Sequence, residues 1–267
     1  MPPASVIMTY RGAGDPLRQA NLAAVLAWWA RYPELELILV EQDDAPRLPG
    51  PLPHPTVRTL FAYNPAAFNK SWGLNLGARH AQSAWLLFTD ADLIVGEALR
   101  AALTQTASGV QAVKPYRRLV DLTPAQSERV RGGDWDFVPD PVPGSAPDRE
   151  GLGERLAFAG GMILLARGAF LALGGWDERF RGWGGEDDAL SYRLERARLP
   201  AIELDLRPAV HLHHARPAAS PQAQPHYAGN LDLLRRYREY SDAELARMAE
   251  VQRQWLGEPD KYRPRAP

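Results

Sequence analysis

The strongest constraint on what this chain can fold into is an alternation of short apolar runs with longer amphipathic stretches in its N-terminal part. Val6-Ile7-Met8-Thr9-Tyr10 reads as a buried strand and Arg11-Gly12-Ala13-Gly14 as a turn. Asp15-Pro16 then reads as a cap with proline at the first helical position, opening a helix over residues 17–32. A second strand over residues 35–40 runs into the acids Glu41, Asp43 and Asp44, and a proline-rich loop leads to a third over residues 57–62. A helix over residues 70–82 precedes a fourth strand, Trp85-Leu86-Leu87-Phe88-Thr89. Strands alternating with helices of this length imply an α/β fold: a doubly wound, mainly parallel sheet with helices on both faces. Ligands of such sheets bind beyond the carboxyl ends of the strands.

Length and charge narrow the class. A chain of 267 residues can bury one large core, and a net charge of −1 argues against a nucleic-acid partner. With no cysteine, disulfides, thiolate nucleophiles and cysteine zinc sites are all excluded, which fits a reducing compartment. No apolar run reaches transmembrane length, and the first residues lack the pattern of a signal peptide. The expectation is a cytoplasmic protein, with peripheral attachment at the inner face of the membrane as the variant.

Further along, residues 116–155 are rich in Pro, Gly, Asp and Arg and predict a long loop excursion. Regular structure is expected again over residues 156–165 and as a strand over residues 201–206. The predicted organisation is one domain over residues 1–217 and a C-terminal helical extension over residues 218–267. That extension starts with a linker at 218–225, continues as a helix over residues 227–240, and has a second helix opened by the capping box Ser241-Asp242-Ala243-Glu244. The last residues, 261–267, are expected to fray.

Three places carry chemistry. Gly182-Trp183-Gly184-Gly185-Glu186-Asp187-Asp188 sets an aromatic, flexible glycines and three adjacent carboxylates at a helix start. A structural helix start needs one capping acid, so three acids point to a ligand, and Trp183 offers the flat apolar face on which sugars stack. Asp90-Ala91-Asp92 follows the fourth strand at the carboxyl edge of the sheet, where alternation turns both acids to one side. Hard carboxylates there suit Mg2+ or Mn2+ bridging two phosphates. Half of the six histidines lie in His211-Leu212-His213-His214, and imidazole beside Asp92 favours Mn2+ over Mg2+. Gly-rich phosphate loops are absent: Leu17 stands where a dinucleotide fingerprint has its third glycine. Diphosphate charge is therefore assigned to the cation with Arg11 and Lys70.

With these pieces the chain resembles the glycosyltransferases of the nucleotide-diphospho-sugar (GT-A) fold, closest to the β-1,4-galactosyltransferase group, and bacterial family-2-type glycosyltransferases share the arrangement. Residues 68–77 (FNKSWGLNLG) are similar to that group's FNRAKLLNVG segment, and Asp90-Ala91-Asp92 to its DVD metal motif. Ala159-Gly160-Gly161, Gly174-Gly175-Trp176 and the Gly182–Asp188 run follow its FGG…NGF…GWGGEDDD series. The resemblance implies a metal-dependent, inverting transfer of a sugar from a nucleoside-diphosphate sugar, a UDP-sugar, to a hydroxyl of a saccharide or glycolipid acceptor. By the same resemblance Asp187 is the general base, Asp188 and Trp183 bind acceptor, and Glu186 serves the acceptor loop. Arg11, Asn69, Lys70, Asp90, Asp92, Gly160 and Gly161 fall on the nucleotide sugar. Asp92, His211 and His214 are the implied Mn2+ ligands, with Mg2+ as the alternative ion, and His213 is expected to be dispensable because strand alternation turns it away. Retaining transfer on the same fold, nucleotidyl transfer, and sugar-nucleotide binding without turnover remain alternative readings.

Overall fold

The computed structural model describes residues 3–12, 14–140, 160–215 and 223–263. Its N-terminal part follows the predicted alternation. Strand β1 (Ser5–Tyr10) leads to helix α1 (Pro16–Trp29), where the Asp15 carboxylate accepts a hydrogen bond from the Leu17 amide at 2.9 Å and Pro16 needs no partner for the donor it lacks. α1 turns Leu22, Val25, Leu26, Trp28 and Trp29 inward. Burying a side chain of this size stabilises by about 1.5–3 kcal/mol, so truncating Leu26 to alanine costs about 2–5 kcal/mol once the cavity is included. β2 (Glu36–Asp43), β3 (Arg58–Tyr63), α2 (Lys70–His80), β4 (Trp85–Thr89) and the two-residue β5 (Leu93–Ile94) follow. The predicted strand starts lie within a residue of the observed ones, but β2 extends through Glu41 and Asp43, which belong to the strand and not to the turn after it.

After α3 (Ala98–Thr104) and β6 (Ala112–Lys114) the chain enters the stretch expected to be one long loop. That expectation is corrected by the structure. It contains β7 (Leu119–Asp121) and α4 (Pro124–Arg131), the latter opened by a full capping box between Thr123 and Gln126. Three-residue strands are too short to show periodicity, and α4 presents only Ser127 and Val130 to the core, so neither leaves an apolar signature. Residues 141–155 of the excursion lie outside the described part, as do 156–159 of the segment expected to resume regular structure.

β8 (Met162–Ala166) and α5 (Arg167–Ala172) come next, then α6 (Glu186–Arg196), β9 (Ala201–Glu203) and β10 (Ala209–His211). β9 is shorter than the strand expected over 201–206, and β10 takes in the first histidine of the cluster. α7 (Tyr227–Glu239) and α8 (Asp242–Trp255) match the expected C-terminal helices, with both halves of the Ser241–Glu244 capping box formed. Most of the expected linker, 218–222, and residues 264–267 of the tail are outside the described part. The C-terminal segment packs on the sheet domain: Leu256 joins the core around Phe88 and Trp176, and Trp72 donates its indole N–H to the Glu258 carbonyl at 2.8 Å. No helix among the described residues is long and apolar enough to cross a membrane.

The main sheet has the order β3-β2-β1-β4-β8-β6-β9, and β8 alone runs against its neighbours. A second, small sheet has the order β5-β10-β7. It pairs His211 with Leu93 on one side and with Asp121 on the other, so three segments far apart in sequence meet just past the carboxyl end of β4. This small sheet builds half of the candidate site.

Candidate active site and cation site

Asp90 and Asp92 leave β4 together and then part company. Asp90 turns to Lys70, whose ammonium lies 2.8 Å from an Asp90 oxygen, 3.1 Å from Asp187 and 3.5 Å from Glu186. Lys70 is the first residue of α2 and the two acids open α6, so two helix N-termini point at one buried knot of charge. Burial alone would lower the Lys70 amine, but the charges of Asp187, Asp90 and Glu186 outweigh it and raise it well above the usual amine range. Burial pushes Asp90 up, with the Asp187 charge adding to it against the pull of Lys70. Burial and the charge of Asp187 push Glu186 up to about 7. Three carboxyls thus share one ammonium, and near neutrality Glu186 carries part of a proton.

The loop before α6 depends on its glycines. Gly185 caps the helix at a φ of 93°, with no side-chain cap, and a Cβ there would sit 2.7 Å from the Phe180 ring. Trp183 is 36% exposed and stacks on Tyr227 of α7, the ring centroids 5.7 Å apart. Asn230, also on α7, holds the loop by its backbone, donating to the carbonyls of Arg181 at 2.8 Å and Trp183 at 3.1 Å. Asp188 stands third in the first turn of α6. On the opposite wall, Gly161 has a φ of 72° and leaves no room for a Cβ, which would fall 2.2 Å from the Tyr116 hydroxyl. That hydroxyl donates to the Gly160 carbonyl at 2.8 Å and accepts from the Met162 amide at 3.1 Å, fixing the entry to β8. Lys70, Thr89, Gly160, Gly161, Trp176 and Asp187 line one narrow cleft.

Two residues expected on the nucleotide sugar also make structural hydrogen bonds. Arg11 donates to the carbonyls of Gln42, Ala66 and Asn64 at 2.7–2.8 Å, so its guanidinium braces the loop after β3. Asn69 is fully buried as the N-cap of α2; its oxygen accepts from Trp72 N and its amide donates to the Glu178 carbonyl and the Tyr262 hydroxyl. Three of the five Arg11 N–H donors and both Asn69 amide hydrogens are thus committed to the fold. Lys70 is paired with three carboxylates while lining the cleft.

Asp92 turns the other way. Its two oxygens lie 3.4 Å from His211 Nε2 and 3.3 Å from His214 Nε2, and one ligand atom from each of the three residues falls within 4.8 Å of the others. Asp90, expected on the nucleotide sugar, is not in that group. The other nitrogen of each ring is occupied: His211 Nδ1 is 2.9 Å from Asp121 and His214 Nδ1 is 2.9 Å from the Ala215 carbonyl. A carbonyl oxygen only accepts, so His214 Nδ1 carries hydrogen, and Nε2 is the nitrogen turned to Asp92. Burial works to raise Asp92, yet His211 and His214 hold it far below the usual carboxylate range. Burial works to lower His211, but Asp92 and Asp121 push it up to about 10. Each of these shifts comes from the acids and the imidazoles answering one another's charge.

His213 stays out of the group, though not for the reason alternation gives, because in a strand it would share the face of His211. β10 ends at His211 and the irregular chain beyond it swings His214 inward. The backbone of His213 is anchored instead: its amide donates to Ser127 Oγ at 2.8 Å, and its carbonyl accepts from Arg131 at 3.0 Å and Asn21 at 3.1 Å. Asp121, Ser127, Arg131, Tyr116 and Asn230 all support the site, and no motif marks any of them.

A sequence profile described as the N-terminal domain of galactosyltransferase matches residues 154–215, a stretch holding Gly160, Gly161, the acidic run and both histidines. Across its length the fold is similar to GalNAc-T7 solved with UDP, GalNAc and Mn2+: the TM-score is 0.54 at 13% identity, covering 96% of this chain and 56% of the other. The chain has the GT-A fold of the nucleotide-sugar glycosyltransferases. The sequence of this GT-A chain is 28% identical over 214 residues to polypeptide N-acetylgalactosaminyltransferase 13 of Drosophila melanogaster, covering 71% of the chain and 38% of that protein. It is 28% identical over 150 residues to human chondroitin sulfate N-acetylgalactosaminyltransferase 1, covering 55% of the chain and 27% of the relative. The chain therefore spans well under half the length of these curated relatives.

Proposed function

We propose that this chain is a Mn2+-dependent glycosyltransferase that moves a sugar from a UDP-sugar to a hydroxyl of a saccharide or glycolipid, with inversion at the anomeric carbon. The observation that carries this reading is the division of the Asp90–Asp92 triplet between a three-ligand cation pocket and a buried acid at a helix start. The donor set of Asp92, His211 and His214 suits Mn2+, since both imidazoles present Nε2 while their other nitrogens are hydrogen-bonded. A bound divalent cation supplies Lewis-acid neutralisation of the departing diphosphate.

The remaining work falls to the chain's own groups. Asp187 accepts the proton of the attacking hydroxyl; the acceptor oxygen bonds to the anomeric carbon as that carbon's bond to the diphosphate breaks. Lys70, 3.1 Å from Asp187, holds the carboxylate in position and keeps its charge paired in the buried cleft. Trp183, stacked on Tyr227 at the rim, gives the acceptor ring a flat apolar face. Gly160 and Gly161, without side chains on the facing wall, let a donor sugar approach the backbone.

The test is transfer itself. UDP-sugars with Mn2+ and a panel of saccharides should yield UDP and a product whose anomeric configuration, read from NMR coupling constants, is opposite to the donor's. Retained configuration overturns the inverting assignment of Asp187, and failure of every UDP-sugar to release UDP overturns the transferase reading. Trp183→Ala should raise acceptor KM about tenfold, the worth of roughly 1.4 kcal/mol of stacking, with donor binding unchanged.

A further inference from the structure

We infer that Asp121 is the positioning residue of the cation site, acting through His211; this rests on the metal reading above. Asp121 is the last residue of β7, and the parallel pairing of β7 with β10 sets it directly beside His211. The Leu122 amide donates to the His211 carbonyl at 2.9 Å, so the register is fixed on both sides of the pair. From there an Asp121 oxygen reaches His211 Nδ1 at 2.9 Å, on the edge of the ring away from Asp92.

The chemistry of that contact is directional. An ionised carboxylate has no hydrogen to give, so His211 Nδ1 must carry one and donate it. The neutral ring then has its lone pair at Nε2, which faces Asp92 at 3.4 Å. Without Asp121 the ring can rotate about its bond to Cβ and exchange tautomers, and either change withdraws the ligand nitrogen. Metal-bound imidazoles commonly depend on such a carboxylate or carbonyl for orientation and basicity.

The two histidines solve this need differently. His214 is oriented by the Ala215 carbonyl, a backbone group that no substitution removes. His211 is oriented by a side chain from a strand outside the stretch that matches the galactosyltransferase profile. Asp121 is therefore the single replaceable orienting group among those the described residues offer to these two rings. It also adds a negative charge beside a pocket that must attract a dication.

Mn2+ binding to the full chain, followed by the loss of the free-ion EPR signal with and without UDP, tests the assignment. Asp121→Ala and Asp121→Ser should raise the Mn2+ Kd about 10- to 100-fold, the usual effect of removing an orienting partner. Asp121→Asn keeps an oxygen that accepts from Nδ1 and should recover most of that loss. The side chain of Asp121 is 49% exposed, so thermal midpoints without metal should stay close to wild type in all the variants. An unchanged Kd in Asp121→Ala and Asp121→Ser overturns the inference, and so does an equal loss in Asp121→Asn, which would make the effect one of charge alone. A wild-type chain that takes up no Mn2+ removes the metal reading and this inference with it; Mn2+ uptake indifferent to Asp121 removes the inference alone.

Discussion

Asp90 and Asp92 are two residues apart, stand at the end of the same strand, and live in opposite electrostatic worlds. Around Asp90 the chain supplies its own cation: Lys70 answers Asp90, Asp187 and Glu186 within 3.5 Å. Around Asp92 it supplies no permanent charge, only two titratable imidazoles whose Nε2 atoms converge on the carboxylate. In the first knot a fixed positive charge answers part of the negative charge, and burial holds Asp90 and Glu186 up. In the second the negative charge is left for protons or a metal ion to answer. The contrast teaches that an acid–x–acid motif need not be one site. Here it is a hinge between a fixed ion cluster that can hold a base and an adjustable pocket that can hold an exogenous cation.

The sharpest way to break this division is at Asp187. Asp187→Asn is nearly isosteric but cannot take a proton, so kcat should fall by about two to four orders of magnitude. Donor affinity, measured by calorimetry, should stay near wild type, because the change leaves the cation pocket untouched. Loss of donor binding in step with turnover would merge the two regions into one.

Removing the internal cation comes next in size. Lys70→Met leaves three buried carboxyls without their ammonium and should cost about 3–5 kcal/mol of stability, read as a lowered denaturation midpoint. Asp92→Asn should cost the metal-free chain far less, since His211 can give up its proton. Metal uptake should show the reverse pattern. Asp92→Ala or His214→Ala should weaken Mn2+ binding beyond the roughly 10- to 100-fold of an orienting partner, whereas Asp90→Ala should leave it within a few-fold.

A pH titration sharpens the contrast further. Glu186 faces Lys70, Asp187 and Asp90, and its folded value of about 7 lies above the ordinary 4.5. The folded chain thus binds more protons than the unfolded chain between those values, so stability falls as pH rises through that window and this group adds no further slope above it. Glu186→Gln should flatten that fall in thermal midpoint between about pH 4.5 and 7. The smallest effect belongs to His213. Its structural contacts run through its backbone, so His213→Ala should leave Mn2+ affinity unchanged and stability within about 0.5 kcal/mol.

Sequence by itself determined the features whose physics is local. Apolar runs at strand spacing marked β1 to β4, and side-chain caps marked the starts of α1 and α8, where Asp15 and Ser241 bond to backbone amides two or three residues on. The acids of the candidate site were legible for the same reason: a strand end and a helix start each expose their termini to a ligand. Tertiary structure decided which charge meets which. Lys70 and Asp187 are 117 residues apart, and nothing near either one announces that they share hydrogen bonds. Arg11 and Asn69 stand among the ligand groups in sequence, and only the fold brings backbone carbonyls to both. β7 and β10 are three residues each, too short for periodicity to register, and only pairing within the small sheet makes them strands. That pairing sets Asp121 beside His211, because a parallel ladder fixes register by hydrogen bonds between chain segments that local sequence cannot see.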